Sequence, residues 1–127
     1  PTPDWDAAVT RFSGWTPYHL ASAVNVSHQA FGHRVWFLVA RSDQVIQGLL
    51  PLVEQSSLLF GRYLTSLPYV NYGGVLAASS AARDALVRAA DQLARSRRAK
   101  HVELRHIPLQ GAISLPERTD KVSMILE

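Results

Sequence analysis

The segment RVWFLVARSDQVIQGLLPLVEQ, residues 34–55, decides the fold. Residues 34–41 are apolar on both alternations of a strand, which predicts an interior strand covered on both faces. The SDQ triplet at residues 42–44 predicts a turn, and residues 45–55 return as the second strand of a hairpin. Because Pro51 has no N–H group to donate, we expect the second strand to bend, bulge or lie at an edge near this residue.

A helix is predicted immediately before this hairpin. Thr16 and Pro17 are typical of an N-cap and a first helical position, where the missing N–H of proline costs nothing. Apolar residues then recur at helical spacing as far as Phe31. Gly32 is expected to adopt a left-handed conformation that ends the helix.

After the hairpin, the sequence predicts two short extended segments, a long helix and two more strands. The short segments lie in SSLLFGRYLTSL, around Gly61, and the helix runs from Ser80 to about Ala99. Its apolar stripe includes Leu86 and Leu93. HVELRHI, residues 101–107, and KVSMILE, residues 121–127, follow as strands. This order predicts an α+β fold with a mixed, mostly antiparallel sheet flanked by helices. The last pattern has no terminating signal, which favours a fragment of a longer chain.

Composition narrows the class of protein. The chain has 127 residues, 47% of them hydrophobic and 18% charged, so one compact domain is expected. The formal charge of +3 is too small to indicate a nucleic-acid binder by itself. There is no cysteine, which excludes disulfides, a thiolate nucleophile and a cysteine-rich zinc site. The sequence shows neither a signal peptide nor a membrane-spanning apolar run, so a cytoplasmic location without a membrane span is the default.

Most catalytic patterns are not present. His101, Glu103 and His106 lie close in sequence, but a metal site would need further ligands from elsewhere, so no metal is expected. No serine lies in a G-x-S-x-G elbow, and His19 and His28 are interpreted as structural residues of the predicted helix. The GGVLAASS segment before the long helix does not match the glycine-rich loop that binds the pyrophosphate of acyl-CoA.

The end of the long helix is basic. Its cations are Arg95, Arg97, Arg98 and Lys100. They are expected to complement the helix dipole and remain solvated. Without interleaved aromatic residues, they are only a weak signal for nucleic acid.

The stretch SLPYVNYGGV, residues 66–75, is the most distinctive polar segment. Tyr69 and Tyr72 can stack on or hydrogen-bond to a ligand, Asn71 offers a donor and an acceptor, and Gly73 and Gly74 let backbone N–H groups approach closely. The alternative is a turn that needs proline and glycine geometry, with its tyrosines plugging the end of the sheet. The residues alone leave both interpretations open.

The motifs taken together resemble a known family. YHLASAVNVSHQAFGHRVWFLVAR, VIQGLLPLVEQSSLLFGRYLTSLPYVNYGGVLA, VELRH and DKVSMILE are similar, in order and spacing, to the N-terminal region of FemAB-related proteins associated with exosortase/PEP-CTERM systems. The resemblance covers nearly the whole chain. It implies an acetyltransferase-like (GNAT-like) fold, and Fem-type proteins contain two such domains.

The resemblance also implies a function. Cell-wall Fem proteins transfer an amino acid from aminoacyl-tRNA to a peptidoglycan precursor, and the PEP-CTERM-associated branch is linked to exopolysaccharide and protein export. The chain would be the acceptor-binding N-terminal domain of an acyl- or aminoacyl-transferase, inactive alone and without a cofactor of its own. Acyl-CoA or aminoacyl-tRNA would be the donor of the full-length protein, and a small molecule, glycan or peptide the acceptor.

The resemblance assigns no catalytic residue to this segment. Tyr69, Asn71, Tyr72, Gly73 and Gly74 are the expected substrate contacts, and Arg105 is a weaker candidate for binding an anion. A non-catalytic interaction module of the export or polysaccharide machinery is the alternative, and it predicts an exposed apolar patch. An RNA-contacting domain, which predicts salt-sensitive affinity, is the third.

Overall fold

A five-stranded sheet with helices on both faces forms the described part of the chain. The computed structural model describes residues 3–68, 70 and 72–105. In chain order the elements are α1 (Trp5–Val9), a 3-10 turn (Pro17–His19), α2 (Ala21–Phe31), β1 (Arg34–Ser42), β2 (Val45–Ser57), β3 (Gly61–Thr65), β4 (Leu76–Ala77), α3 (Ser80–Ser96) and β5 (Val102–Glu103). The pairings β1–β2, β2–β3 and β2–β4 are antiparallel, and β3–β5 is parallel. The predicted α+β class with a mixed, mostly antiparallel sheet is confirmed.

The predicted hairpin of residues 34–55 is present as the antiparallel pair of β1 and β2. Trp36 lies opposite Leu52, and the register continues to the turn with one bulge between Ala40 and Arg41. Asp43 and Gln44 form the turn with φ of 48° and 69°. Two left-handed residues give a two-residue turn the twist that adjacent strands require.

The interior strand is β2, whereas we expected β1 in that position. Within the described residues, β1 lies at one end of the sheet and pairs with β2 alone. The apolar character of β1 on both alternations reflects the helices above and below it. On the other edge of β2, the β4 ladder ends at Leu49 and the β3 ladder begins at Val53. Pro51 therefore lies in the gap between these two ladders, where this edge of β2 has no pairing strand among the described residues.

Helices cover the sheet on both sides. Leu86, Ala90 and Ala94 of α3 pack on one face, in a cluster with Leu50, Leu52 and Leu64. On the opposite face, Trp5 and Val9 of α1 pack with Leu49, and Val24 of α2 packs with Val53. The Trp5 ring meets the Phe37 ring edge-on at 4.8 Å between centroids. The predicted packing of the long helix on one sheet face is confirmed.

The N-terminal region differs from the sequence prediction in two ways. Helix α1 was not predicted, and the helix expected from Pro17 to Phe31 is broken at Leu20, whose ψ is 145°. Helix α2 instead starts at Ala21, where Asp6 Oδ1 accepts a 2.7 Å hydrogen bond from the Ala21 N–H. Gly32, with φ of 68°, ends α2 as predicted.

Helix α3 begins as expected and ends slightly early. Ser79 caps its first turn by accepting a 3.1 Å hydrogen bond from the Ala82 N–H, and its last residue is Ser96. KVSMILE lies outside the described residues, and of HVELRHI only Val102 and Glu103 belong to a described strand. No helix in the described ranges is both long and apolar enough to cross a bilayer.

Candidate functional site

The candidate site lies at the carboxyl ends of the two parallel strands. Leu64 and Thr65 of β3 pair with Val102 and Glu103 of β5. The loop of residues 66–75 leaves β3 at the point where Arg105 follows β5. Ligands of α/β sheets commonly bind outside the carboxyl ends of parallel strands, because loops from neighbouring strands converge there. The segments that the sequence singled out separately therefore meet at one edge.

Arg105 connects β5 to this loop. Its N–H donates to Ser66 Oγ at 2.6 Å, and its carbonyl accepts a 3.1 Å hydrogen bond from the Gly73 N–H. The guanidinium donates from Nε to Glu103 Oε1 at 2.7 Å and from Nη1 to the carbonyl of Pro68. The Arg105 side chain remains 29% exposed. Most of its described contacts hold the loop.

The glycine pair is packed tightly against the fold. Gly73 and Gly74 are buried. A Cβ at Gly73 would lie 2.4 Å from Leu67 Cδ1 and 2.7 Å from Leu67 Cβ, which no side chain can accommodate without movement. The Gly73 N–H donates to the Arg105 carbonyl, and glycine at this position allows close packing against Leu67. Its role as a substrate contact stays a prediction.

Tyr72 is a predicted contact residue that lies within the described part of the chain. Its side chain is half-buried, and its carbonyl accepts a 2.9 Å hydrogen bond from Thr16 Oγ1. Tyr69 and Asn71 lie outside the described residues, so their contact role stays a prediction. The backbone at Tyr72 is thus fixed while part of its side chain remains accessible.

His19 fixes the same loop from the other side. Its residue surface is 2% exposed. The Thr16 N–H donates to Nδ1 at 3.1 Å, so the ring hydrogen lies on Nε2, which donates to the Gly74 carbonyl at 3.1 Å. The His19 carbonyl accepts a 2.8 Å hydrogen bond from Trp5 Nε1. Burial lowers the pKa of His19, although its hydrogen bond to the Gly74 carbonyl opposes this.

From the sequence, His19 was interpreted as an amphipathic residue near a helix N-terminus. Its buried hydrogen bond to the loop was not predicted. A signal was present in the sequence, because Thr16 precedes His19 by three residues, the spacing of reciprocal caps. The partner at Gly74 is 55 residues away and has no local signature.

A second polar cluster surrounds Glu54, which is only 6% exposed. Arg97 donates from Nε and Nη2 to the two carboxylate oxygens at 2.9 and 3.0 Å, and Trp36 Nε1 donates at 3.2 Å. Arg62 Nε lies 3.1 Å from Oε1. The hydrogen bonds from Arg97 are the largest cause that lowers the pKa of Glu54. Burial opposes this shift, whereas the Trp36 hydrogen bond and the charges of Arg97 and Arg62 add to it.

This cluster corrects the expectation that the basic end of the long helix is fully solvated. Arg97 forms a bidentate ion pair that ties the C-terminal end of α3 to β2, and Arg62 Nη1 donates to the Arg97 carbonyl at 2.5 Å. Arg95 pairs with Asp91 at 2.9 Å. The Glu54 cluster was missed because Glu54 and Arg97 are 43 residues apart.

The histidine and acid residues considered for a metal do not form a described site. In residues 3–68, 70 and 72–105, no group of three His, Asp or Glu side chains is placed to hold an ion. His101 stacks on Tyr63 with 5.3 Å between ring centroids, and Glu103 binds Arg105. His106 lies outside the described residues.

The chain was compared with known proteins in three ways. No protein-family model, no curated protein and no solved structure matches it.

Proposed function

We propose that this chain is the acceptor-binding, GNAT-like N-terminal domain of a Fem-type acyl- or aminoacyl-transferase that acts in exopolysaccharide or cell-envelope export. The observation that carries the proposal is the junction of Arg105 with the loop of residues 66–75 at the carboxyl ends of β3 and β5. Two segments chosen from sequence for ligand contact are hydrogen-bonded to each other there. The proposed donor, acyl-CoA or aminoacyl-tRNA, would bind elsewhere in the full-length protein, with a second GNAT-like domain completing the cleft.

The chemistry of the junction suits a polar, anionic acceptor. The Arg105 side chain is partly exposed, and a guanidinium recognises carboxylates and phosphates through paired N–H groups. Tyr72 adds a half-buried phenol, whose ring can stack on a ligand and whose hydroxyl can form a hydrogen bond. A glycan or peptide acceptor that carries a carboxylate or phosphate would use both groups.

Hydrogen bonds hold the backbone of residues 72–74 in place. His19 binds Gly74, Thr16 binds Tyr72, and Arg105 binds Gly73. Fixing a loop before binding reduces the entropy lost when a ligand docks. This arrangement supports a binding role for the accessible side of the loop.

An anion titration tests the proposed site. Inorganic phosphate, added to the isotope-labelled full chain and followed by NMR, should shift the amide signals of Gly73, Gly74 and Arg105 saturably. Arg105→Gln should abolish the shifts, and Arg105→Lys should weaken them because lysine keeps the charge but loses the paired N–H groups. Arg34→Gln is the matched control, since Arg34 is an exposed arginine at the start of β1. Shifts confined to Arg98 and Lys100 would contradict the proposal.

The interaction-module alternative has one observation in its favour. It predicts an exposed apolar patch, and Leu58, Leu59 and Phe60 are exposed together. The RNA-contacting alternative has less support, because Arg95 and Arg97 are engaged by Asp91 and Glu54.

A further inference from the structure

The turn between β2 and β3 exposes three consecutive large apolar side chains. The exposed fractions are 107% for Leu58, 86% for Leu59 and 71% for Phe60. Single exposed apolar residues are ordinary on protein surfaces, but contiguous ones mark a contact with another apolar phase. The three residues project as the tip of a hairpin whose last cross-strand pair is Ser57 with Gly61.

The tip is a built turn with internal hydrogen bonds. Ser57 Oγ accepts from the Leu59 N–H at 3.2 Å and from the Phe60 N–H at 3.4 Å. Gly61 takes φ of 78°, a left-handed conformation that suits glycine. Transfer of an unpaired backbone N–H group into an apolar medium costs roughly several kcal/mol. Two donors of this tip are already paired, which removes part of that cost.

Cations surround the base of the tip. Lys100 Cε lies 2.7 Å, and Nζ 3.3 Å, from the position that a Cβ of Gly61 would occupy, and the Lys100 N–H donates to the Arg62 carbonyl at 2.7 Å. Residues 56–62 and 95–101 together hold five Lys or Arg. Of these, Arg62 and Arg97 pair with Glu54, and Arg95 pairs with Asp91. The other two, Arg98 and Lys100, are exposed. The apolar tip therefore rises from a positively charged base.

We propose that the β2–β3 turn anchors the protein to a membrane surface that contains anionic lipid. Leu58, Leu59 and Phe60 enter the boundary between headgroups and acyl chains, while Lys100 and Arg98 stay at the level of the lipid phosphates. An apolar face combined with cations is the composition that binds such surfaces.

Size and shape favour a lipid surface over a protein partner. A stable protein interface buries about 800 Å² on each side, and three side chains on a narrow turn supply well under that area. A protruding tip of this kind can, however, enter a soft lipid interface completely. The inference does not depend on the proposed function of the loop at residues 66–75.

Vesicle binding tests the proposal directly. The full chain should sediment with vesicles of three parts phosphatidylcholine to one part phosphatidylglycerol, and much less with pure phosphatidylcholine. Leu59→Ser should lower the partition coefficient about tenfold, because one buried leucine is lost. Lys100→Gln should lower it about fivefold. Val26→Ser, which changes an exposed apolar residue of α2, is the matched control and should bind like the wild type.

Insertion is measured with a conservative variant. Phe60→Trp should keep vesicle binding, and brominated lipid should quench the added tryptophan fluorescence. Thermal melts should show no change for Leu59→Ser, since Leu59 is exposed in the fold. The proposal is overturned if the wild type does not bind the mixed vesicles or if Leu59→Ser binds them equally well. It is also overturned if the same variant instead dissociates a dimer, which would make the tip an interface between copies.

Discussion

Replacing His19 with phenylalanine should destabilise the fold, because it removes one buried and one partly buried hydrogen bond while an aromatic ring still fills the site. The Thr16 N–H and the Gly74 carbonyl both lose their partner, at a residue that is 2% exposed. The buried Gly74 carbonyl left unpaired costs about 1–3 kcal/mol and the partly buried bond from Thr16 about 0.5–1.5 kcal/mol, so the two together should lower the free energy of unfolding by about 1.5–4.5 kcal/mol. Urea unfolding at about pH 8, where histidine is neutral, measures this change.

The same substitution should alter the pH dependence of stability. Burial lowers the pKa of His19 below 6.5, so the unfolded chain takes up a proton that the folded chain resists. The stabilisation by neutral His19 is therefore fully present above about pH 6.5 and is lost as the pH falls from there toward the lowered folded pKa. The difference in stability between wild type and His19→Phe should shrink over this interval.

A matched control separates this effect from a general effect of losing a histidine. His28 is exposed on α2, where its Nδ1 lies 3.0 Å from the His33 carbonyl, and His28→Phe should change stability by no more than about 0.5 kcal/mol. The account of His19 is wrong if His19→Phe unfolds at the wild-type urea midpoint. It is equally wrong if the stability difference does not shrink on acidification.

Three further substitutions have expected outcomes in unfolding experiments. Gly73→Ala should cost about 1–3 kcal/mol by overpacking against Leu67, and a wild-type urea midpoint would contradict this. Glu54→Gln should reduce stability at neutral pH by leaving Arg97 unpaired; because the pKa of Glu54 is lowered from 4.5, the wild type should lose this advantage as the pH falls below about 4.5, and a pH-independent difference would refute the ion pair. Ser79→Ala should cost about 1 kcal/mol as a lost helix cap, with Ser80→Ala as the control.

The predicted parts of the fold are those with local signatures. Two-sided apolar alternation and the SDQ turn predicted the β1–β2 hairpin, and Gly32 predicted the end of α2 that the structure shows. Helix α1 was missed because five residues are too few for a clear helical period. The end position of β1 was missed because alternation reports coverage of the two faces and says nothing about the edges of a sheet.

The candidate site was predicted only in part, for a related reason. Tyr72 and Arg105 stood out by residue type and local context, but the contact of Arg105 with the loop of residues 66–75 depends on the parallel pairing of β3 with β5. The His19–Gly74 and Glu54–Arg97 contacts join residues 55 and 43 positions apart. No local pattern specifies such pairs, because they form only when the complete sheet brings the segments together.

The central claim, that the loop of residues 66–75 contacts an acceptor, is tested most directly by Tyr72→Phe in the full-length protein. The measurement pairs a thermal melt with complementation of a strain that lacks the gene, and Tyr63→Phe is the matched control because Tyr63 stacks on His101 away from the loop. We expect Tyr72→Phe to keep the wild-type melting temperature and to complement poorly, since only the hydroxyl is lost, while Tyr63→Phe complements normally. Normal complementation by Tyr72→Phe and Asn71→Ala, or a loss that follows a lowered melting temperature, would contradict the claim and make the loop a structural turn.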